Sequence, residues 1–115
     1  MKKLKYIFYF SPFVLLYIYS CKKNEYKNID CNSIQAKYSS DIFPIINSKC
    51  NSSGCHGAGS SKGDFTNYQG LKAKADNGSI EKRVLVNKDM PPSGSLSSEE
   101  RNKIKCWLNN GAQNN

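Results

Sequence analysis

The apolar positions of the chain form one long run near its start and several short, helically spaced groups after it. The run extends from residue 6 to residue 20, covers 15 residues and follows a basic start at Lys2, Lys3 and Lys5. A helix that spans a bilayer needs about 20 apolar residues, whereas the apolar core of a signal peptide has about 7–15. The pattern therefore predicts that residues 1–20 are an export signal.

The apolar run ends in Ile18-Tyr19-Ser20-Cys21, which resembles a bacterial lipobox. The resemblance implies that Cys21 is acylated and becomes the first residue of the mature protein, followed by a polar tether over residues 21–37. The protein would then be exported and lipid-anchored to the bacterial envelope, facing the periplasm. Lys22 gives no inner-membrane retention signal, which favours the outer membrane. An ordinary signal peptide cut nearby, or an uncleaved anchor, is the alternative.

Beyond residue 37 the apolar residues recur with helical spacing. The first predicted helix covers residues 41–50, with Ser39 or Ser40 as its cap, Asp41 at its positive end and Pro44 early enough to be tolerated. Its apolar stripe consists of Ile42, Phe43, Ile45 and Ile46. Two shorter helices are predicted over residues 68–75 and 80–86.

The last helix carries the strongest signals. Ser97 and Glu100 stand at capping-box spacing, and Gly111 is suited to end the helix. Ile104, Trp107 and Leu108 share one face. Because no stretch alternates with a two-residue period, we expect an all-α fold of three to four short helices. The Gly- and Ser-rich residues 51–66 form a loop, and residues 90–94 form a stiff strap.

Size and charge narrow the function classes. The chain of 115 residues is long enough for one small domain. The formal charge is +8 overall and +5 without the three lysines of the signal. The cations are spread out and do not interleave with aromatic residues, so we expect no nucleic-acid partner. A mild positive field would favour an acidic protein partner.

The cysteines and the single histidine are the candidate chemistry. Cys50 and Cys55 enclose four small or polar residues, and His56 follows directly. Two thiols can bond covalently to the vinyl groups of haem, and the adjacent imidazole is then placed to be the proximal iron ligand. The only methionine outside the signal is Met90, so a six-coordinate iron would take it as the distal ligand.

Two other interpretations of the cysteine segment remain open. Cys50 and Cys55 can form a disulfide, with His56 as a solvated loop residue. A zinc ion could be held by the same three side chains and one further thiol, although structural zinc sites prefer two closely spaced ligand pairs.

Taken together, four segments resemble the small c-type cytochrome domains of bacterial envelope lipoproteins, in a variant with four residues between the cysteines. They read YSSDIFPIINSKC, SGCHG, GDFTNYQGLKA and MPPSGSLSSEERNKIKCWLNNGA, within residues 38–113. The resemblance implies a cytochrome c-like fold around one covalent haem c, held by Cys50 and Cys55 with axial ligands His56 and Met90. It also implies that the last helix crosses the first, with Trp107 packed near the haem edge.

The resemblance also implies a function and a further disulfide. We expect a monomeric one-electron carrier that exchanges electrons with redox partner proteins of the envelope and is not an enzyme. If the first and last helices cross, Cys31 and Cys106 are a candidate pair, and a bridge between them would contribute about 4 kcal/mol. The alternatives are a haem peroxidase or gas sensor in which Met90 is displaced, and a haem-free surface lipoprotein held by disulfides.

Overall fold

The computed structural model of the chain describes residues 29–115. The expected signal peptide at residues 1–20, the lipidation site Cys21 and the first part of the tether lie outside these residues. In the described part, no helix has the length and apolar character required to cross a membrane.

The all-α prediction is confirmed, because residues 29–115 contain four helical segments and no strand. The first begins as a π-helical turn, Tyr38–Ile42, and continues as helix α1, Phe43–Lys49. It is followed by α2, Tyr68–Asp76, by a second π-helical segment, Glu81–Val86, and by α3, Ser98–Asn109.

The first helical segment starts earlier than predicted and is capped differently. Neither Ser39 nor Ser40 caps it; the carboxylate of Asp41 instead accepts a hydrogen bond from the Lys37 N–H at 3.1 Å. The N–H groups of Tyr38 and Ser39 donate to the side-chain and backbone oxygens of Asn115, at 2.8 and 2.9 Å. The end of the chain therefore satisfies helix N–H groups that otherwise have no partner.

The two middle segments differ in how well the sequence predicted them. Helix α2 begins where expected, and Asn67 caps it by accepting from the Gly70 N–H at 2.9 Å. The following segment is π-helical rather than α-helical, and the Ser79 side chain, which precedes it, makes no capping bond to it. The Ser79 N–H instead donates to Asn77 Oδ1 in the preceding turn.

Helix α3 has the predicted capping box, in which the Ser97 hydroxyl accepts from the Glu100 N–H and the Glu100 carboxylate accepts from the Ser97 N–H. Its buried face carries Trp107, which is 1% exposed and lies 6.1 Å from the Tyr38 ring. The Trp107 Nε1–H donates to the carbonyl of Gln113 at 2.9 Å. The predicted apolar face is therefore the one that packs into the core.

A disulfide joins Cys31 to Cys106, with an S–S distance of 2.05 Å and 75 residues of separation. Cys106 is fully buried on α3, whereas Cys31 lies in the turn before the first helical segment. The bond ties the N-terminal lead-in to the last helix.

Candidate cofactor-binding site

All four candidate haem-binding residues border one cleft. Cys50, Cys55, His56 and Met90 line a space of about 490 Å³, which lies within the range of about 300–1,000 Å³ typical of small-molecule and cofactor sites. Met90 is contributed by a segment 34 residues beyond His56 in the sequence. The fold thus brings the predicted residues to one place, although they are distant along the chain.

The walls of the cleft are mostly apolar and its charged residues are all cationic. Three of the four helical segments contribute to the apolar wall, and the fourth, α2, contributes only Lys74 to the lining. The apolar wall includes Ile46, Phe65, Ile80, Val84, Leu96 and Ile104. The cations are Lys49, Lys62, Lys74, Lys82 and Arg83, and the lining contains no Asp or Glu. Such a cleft suits a largely apolar ligand that carries anionic groups at its edge.

Trp107 does not line this cleft, contrary to the expectation that it packs near a haem edge. Its indole lies in the core beside Tyr38, and Ile104, one turn earlier on α3, faces the cleft instead.

The loop between the two cysteines is closed by backbone hydrogen bonds. Helix α1 ends as the Cys50 N–H donates to the Ile46 carbonyl at 2.8 Å. The chain then reverses direction at Gly54, which has φ +80°. The reversal brings the His56 N–H within 3.1 Å of the Cys50 carbonyl, to which it donates. Gly54 adopts this left-handed conformation without the penalty of a Cβ. The four intervening residues therefore form a closed bulge that keeps both thiols at the cleft.

The two thiols of this loop are free and partly buried, whereas the other two described cysteines are bonded to each other. Burial raises the pKa of the Cys50 thiol from its ordinary 9.0 to about 11, and the neighbouring Cys55 adds to the shift. Cys50 is therefore a protonated thiol at neutral pH. The prediction of a Cys50–Cys55 disulfide is not borne out, since the structure has both as thiols.

The imidazole of His56 is oriented by a backbone carbonyl. Its Nδ1 lies 3.1 Å from the carbonyl oxygen of Gly63. Because a carbonyl can only accept, Nδ1 carries the proton in this contact, and in the neutral form of the ring Nε2 has the lone pair. Proteins commonly orient a metal-binding histidine in this manner, through a hydrogen bond from its non-ligating ring nitrogen to a backbone carbonyl.

Met90 is held by its backbone rather than by the prolines alone. Its N–H donates to the Arg83 carbonyl at 3.2 Å, and the Asp89 N–H donates to the same oxygen at 3.1 Å. The Arg83 guanidinium also pairs with the Asp89 carboxylate, at 2.8 and 2.9 Å. The second π-helical segment, which contains Arg83, therefore fixes the start of the strap that carries the thioether.

The sequence analysis did not identify the segment of residues 64–66, which packs against the His56 ring. The ring of Phe65 stacks on the imidazole, with centroids 4.0 Å apart and an angle of 3° between the planes. Beside it, the Asp64 carboxylate accepts from the Thr66 hydroxyl and from the N–H groups of Gly59 and Thr66, and these bonds hold the pKa of Asp64 below its usual range. The Asp-x-Thr spacing is the sequence signal of this turn.

No family model, curated protein or solved structure matches the chain. The assignment to the small c-type cytochromes of envelope lipoproteins is contradicted. Residues 29–115 also contain no group of three or more His, Cys, Asp or Glu side chains that could hold a metal ion. A Cys-x4-Cys-His segment names a set of donor atoms and does not by itself define a family. The site is therefore interpreted from its own geometry.

The zinc interpretation is contradicted as well. It requires a fourth ligand beyond Cys50, Cys55 and His56, and the only other described thiols form the Cys31–Cys106 disulfide. In the part of the chain that the structure describes, no three-ligand group of the required residue types is present.

Proposed function

We propose that the cleft holds one covalently attached haem and that the protein transfers single electrons in the bacterial envelope. The observation that carries this proposal is that Cys50, Cys55, His56 and Met90 border the same cleft. Two of these side chains can bind a porphyrin edge, and the other two can bind iron. These four side chains support haem binding without any membership of a cytochrome family.

The residues that line the cleft have the chemical character that haem binding requires. A porphyrin supplies four nitrogen ligands itself, so its iron takes only two ligands from the protein, and a three-residue metal cluster is not needed. With the proton on Nδ1, Nε2 of His56 can donate its lone pair to iron, and the sulfur of Met90 can serve as the second iron ligand. The apolar walls suit the ring, and the cations suit its carboxylates.

The thiols would form the covalent attachment. Addition of each S–H across a vinyl C=C bond makes one S–C bond and moves the thiol hydrogen to the neighbouring carbon, so no oxidant is needed. Cys50 and Cys55 are the described thiols that are not already in a disulfide. The Cys31–Cys106 bond thus removes two competing thiols from this chemistry.

When bound, the haem supplies one-electron cycling between ferric and ferrous iron. The chain holds His56 through the Gly63 carbonyl and Met90 through the Arg83 carbonyl. The apolar walls exclude water, and thioether with imidazole ligation raises the reduction potential relative to harder ligands. Among residues 29–115, no carboxylate lines the cleft to act as an acid or base, which favours electron transfer over peroxidase chemistry.

The envelope location is part of the proposal. Acylation of Cys21 after export would anchor the protein to the membrane, with the described domain facing the periplasm. The five cations around the cleft favour a redox partner with an acidic surface.

The deciding experiment is the intact mass of protein exported by a host that has the haem-ligation apparatus. We expect an increase equal to one haem, with Cys50 and Cys55 both blocked against alkylation. The Cys55→Ala variant should lose one linkage, and Met90→Ala should lose the absorption band of sulfur-ligated iron near the red end of the spectrum. The matched control, Cys31→Ser with Cys106→Ser, should keep the haem.

A colourless protein of unmodified mass would overturn the proposal. If Cys50 and Cys55 were then found bonded to each other, the haem-free lipoprotein held by two disulfides would replace it. The existing Cys31–Cys106 bond is the observation that favours this second candidate.

A further inference from the structure

The ring of Phe65 is fixed in place from several directions. It is 4% exposed and belongs to the core cluster, and its own N–H donates to the His56 carbonyl at 2.9 Å. The stacked rings are nearly parallel at 4.0 Å. Isolated aromatic pairs prefer offset or edge-to-face arrangements at larger separation. The surrounding chain therefore holds these two rings in contact.

Two glycines make room for this arrangement. A Cβ on Gly63 would lie 3.1 Å from Cε1 of Phe65, and the residue has φ +115°. A Cβ on Gly70 would lie 1.6 Å from the Asp64 carbonyl oxygen, so the first turn of α2 rests directly on the residue before Phe65. Gly63 therefore leaves room for the Phe65 ring, and Gly70 allows α2 to pack directly against the backbone of Asp64.

The His56 imidazole is therefore held by two contacts, one on a face of the ring and one at its edge. Phe65 covers one face of the ring, while the Gly63 carbonyl binds Nδ1 at the edge. Rotation of the imidazole about its Cβ–Cγ bond would break the hydrogen bond and would drive the ring out of the stacked plane. A flat partner resists this rotation, whereas a branched aliphatic side chain of similar volume does not present a flat surface.

We propose that Phe65 is a positioning residue that fixes the plane and the tautomer of His56, so that Nε2 is presented to the cleft as a lone pair. This inference rests on the proposed function for its consequence, since the plane of His56 would become the plane of an axial iron ligand. The stacking itself is a property of the chain without any cofactor.

The test uses the single histidine of the chain. Protein labelled with ¹⁵N in histidine is exported by a host without the haem-ligation apparatus, with the Cys31–Cys106 bond intact, so that the spectrum contains one imidazole. We expect only the Nδ1–H tautomer, with imidazole protons shifted upfield by the Phe65 ring. Phe65→Leu should give a mixture of tautomers and lose the upfield shift, whereas Phe65→Tyr should retain both.

The control is Ile42→Val, a mild substitution at a fully buried core position that is not among the residues lining the cleft. It should leave the histidine signals unchanged. A wild-type protein with mixed tautomers, or a Phe65→Leu variant with the wild-type signals, would overturn the inference.

An experiment can refute the proposed function without refuting the role of Phe65. In protein from the haem-ligating host, Phe65→Leu should change the anisotropy of the ferric electron paramagnetic resonance spectrum, because the axial imidazole is free to rotate. If the wild-type protein from that host carries no haem by mass, the proposed function fails, and the ¹⁵N spectra still decide the role of Phe65.

Discussion

Replacing Gly70 with alanine should dislodge α2 from the loop that supports His56. The new Cβ would lie 1.6 Å from the carbonyl oxygen of Asp64 and 2.8 Å from its carbonyl carbon. Both atoms belong to the backbone, so no side-chain rotation can relieve the overlap. Either the first turn of α2 or the segment at Asp64 has to move by more than an ångström.

The magnitude follows from two opposing effects. Overpacking against a rigid neighbour costs about 3 kcal/mol, whereas alanine in place of glycine stabilises a helix by about 1 kcal/mol. The net destabilisation is therefore about 2 kcal/mol, which lowers the melting temperature of a domain of this size by about 8–16 °C. The capping bond between Asn67 Oδ1 and the Gly70 N–H would be strained by the same movement.

Thermal unfolding followed by far-ultraviolet circular dichroism measures this effect. Gly57→Ala is the matched control, because its Cβ would find its nearest neighbour, the Asn51 carbonyl oxygen, at 3.4 Å. We expect that control to stay within about 0.5 kcal/mol of the wild type. If Gly70→Ala were as stable as Gly57→Ala, α2 would not rest on Asp64 and the packing argument for the Phe65 segment would be wrong.

Four further predictions follow from the cysteines and the C-terminal residues. At pH 7.5 the thiolate fraction of Cys50 in the folded, haem-free protein should be about 100-fold lower than in the unfolded chain, and timed alkylation with mass spectrometry would show the difference. Because the pKa of Cys50 is raised on folding, its contribution to the free energy of unfolding is full below pH 9 and is lost as the pH rises through about 11. The free energy of unfolding should therefore fall by about 2–3 kcal/mol over that range. Denaturant titrations at a series of pH values measure this fall, and its absence would refute the prediction. Cys31→Ser, which opens the bond to Cys106, should lower the free energy of unfolding by about 4 kcal/mol, and a loss below 1 kcal/mol would mean that the bond constrains little. Removing residues 113–115 takes away the acceptor of the Trp107 Nε1–H and the Asn115 oxygens that accept from the Tyr38 and Ser39 N–H groups. The deletion should cost at least about 1–3 kcal/mol, as measured by urea unfolding; unchanged stability would show that water replaces all three bonds.

The sequence predicted those features that depend on local patterns. The capping box of Ser97 and Glu100 is set within four residues, and the apolar spacing of α3 identified Trp107 as a core residue. The sequence also identified Cys50, Cys55, His56 and Met90 as candidates, because the chain has one histidine and one methionine beyond the predicted signal, and the chemistry of thiol, imidazole and thioether groups limits what they can bind.

The features that the sequence did not reveal depend on contacts between distant segments. The caps of the first helical segment include Asn115, which is 77 positions from Tyr38. The stacking of Phe65 on His56 is a second such contact, and the close packing of α2 against Asp64, which the missing side chain of Gly70 allows, is a third. Family membership was also beyond reach, because a short set of donor atoms can arise in unrelated chains.

The bond between Cys31 and Cys106 determines where a mechanical load enters the domain. A pull on the chain ahead of Cys31 passes through the sulfur atoms into α3 and bypasses Tyr38 and α1. In single-molecule stretching from the N-terminus, the 75 residues enclosed by the bond stay hidden, so about 250 Å of contour length appears only after reduction. A protein tethered through its N-terminal segment would thus keep its cleft folded under a drag force that would otherwise peel it open from its first helix.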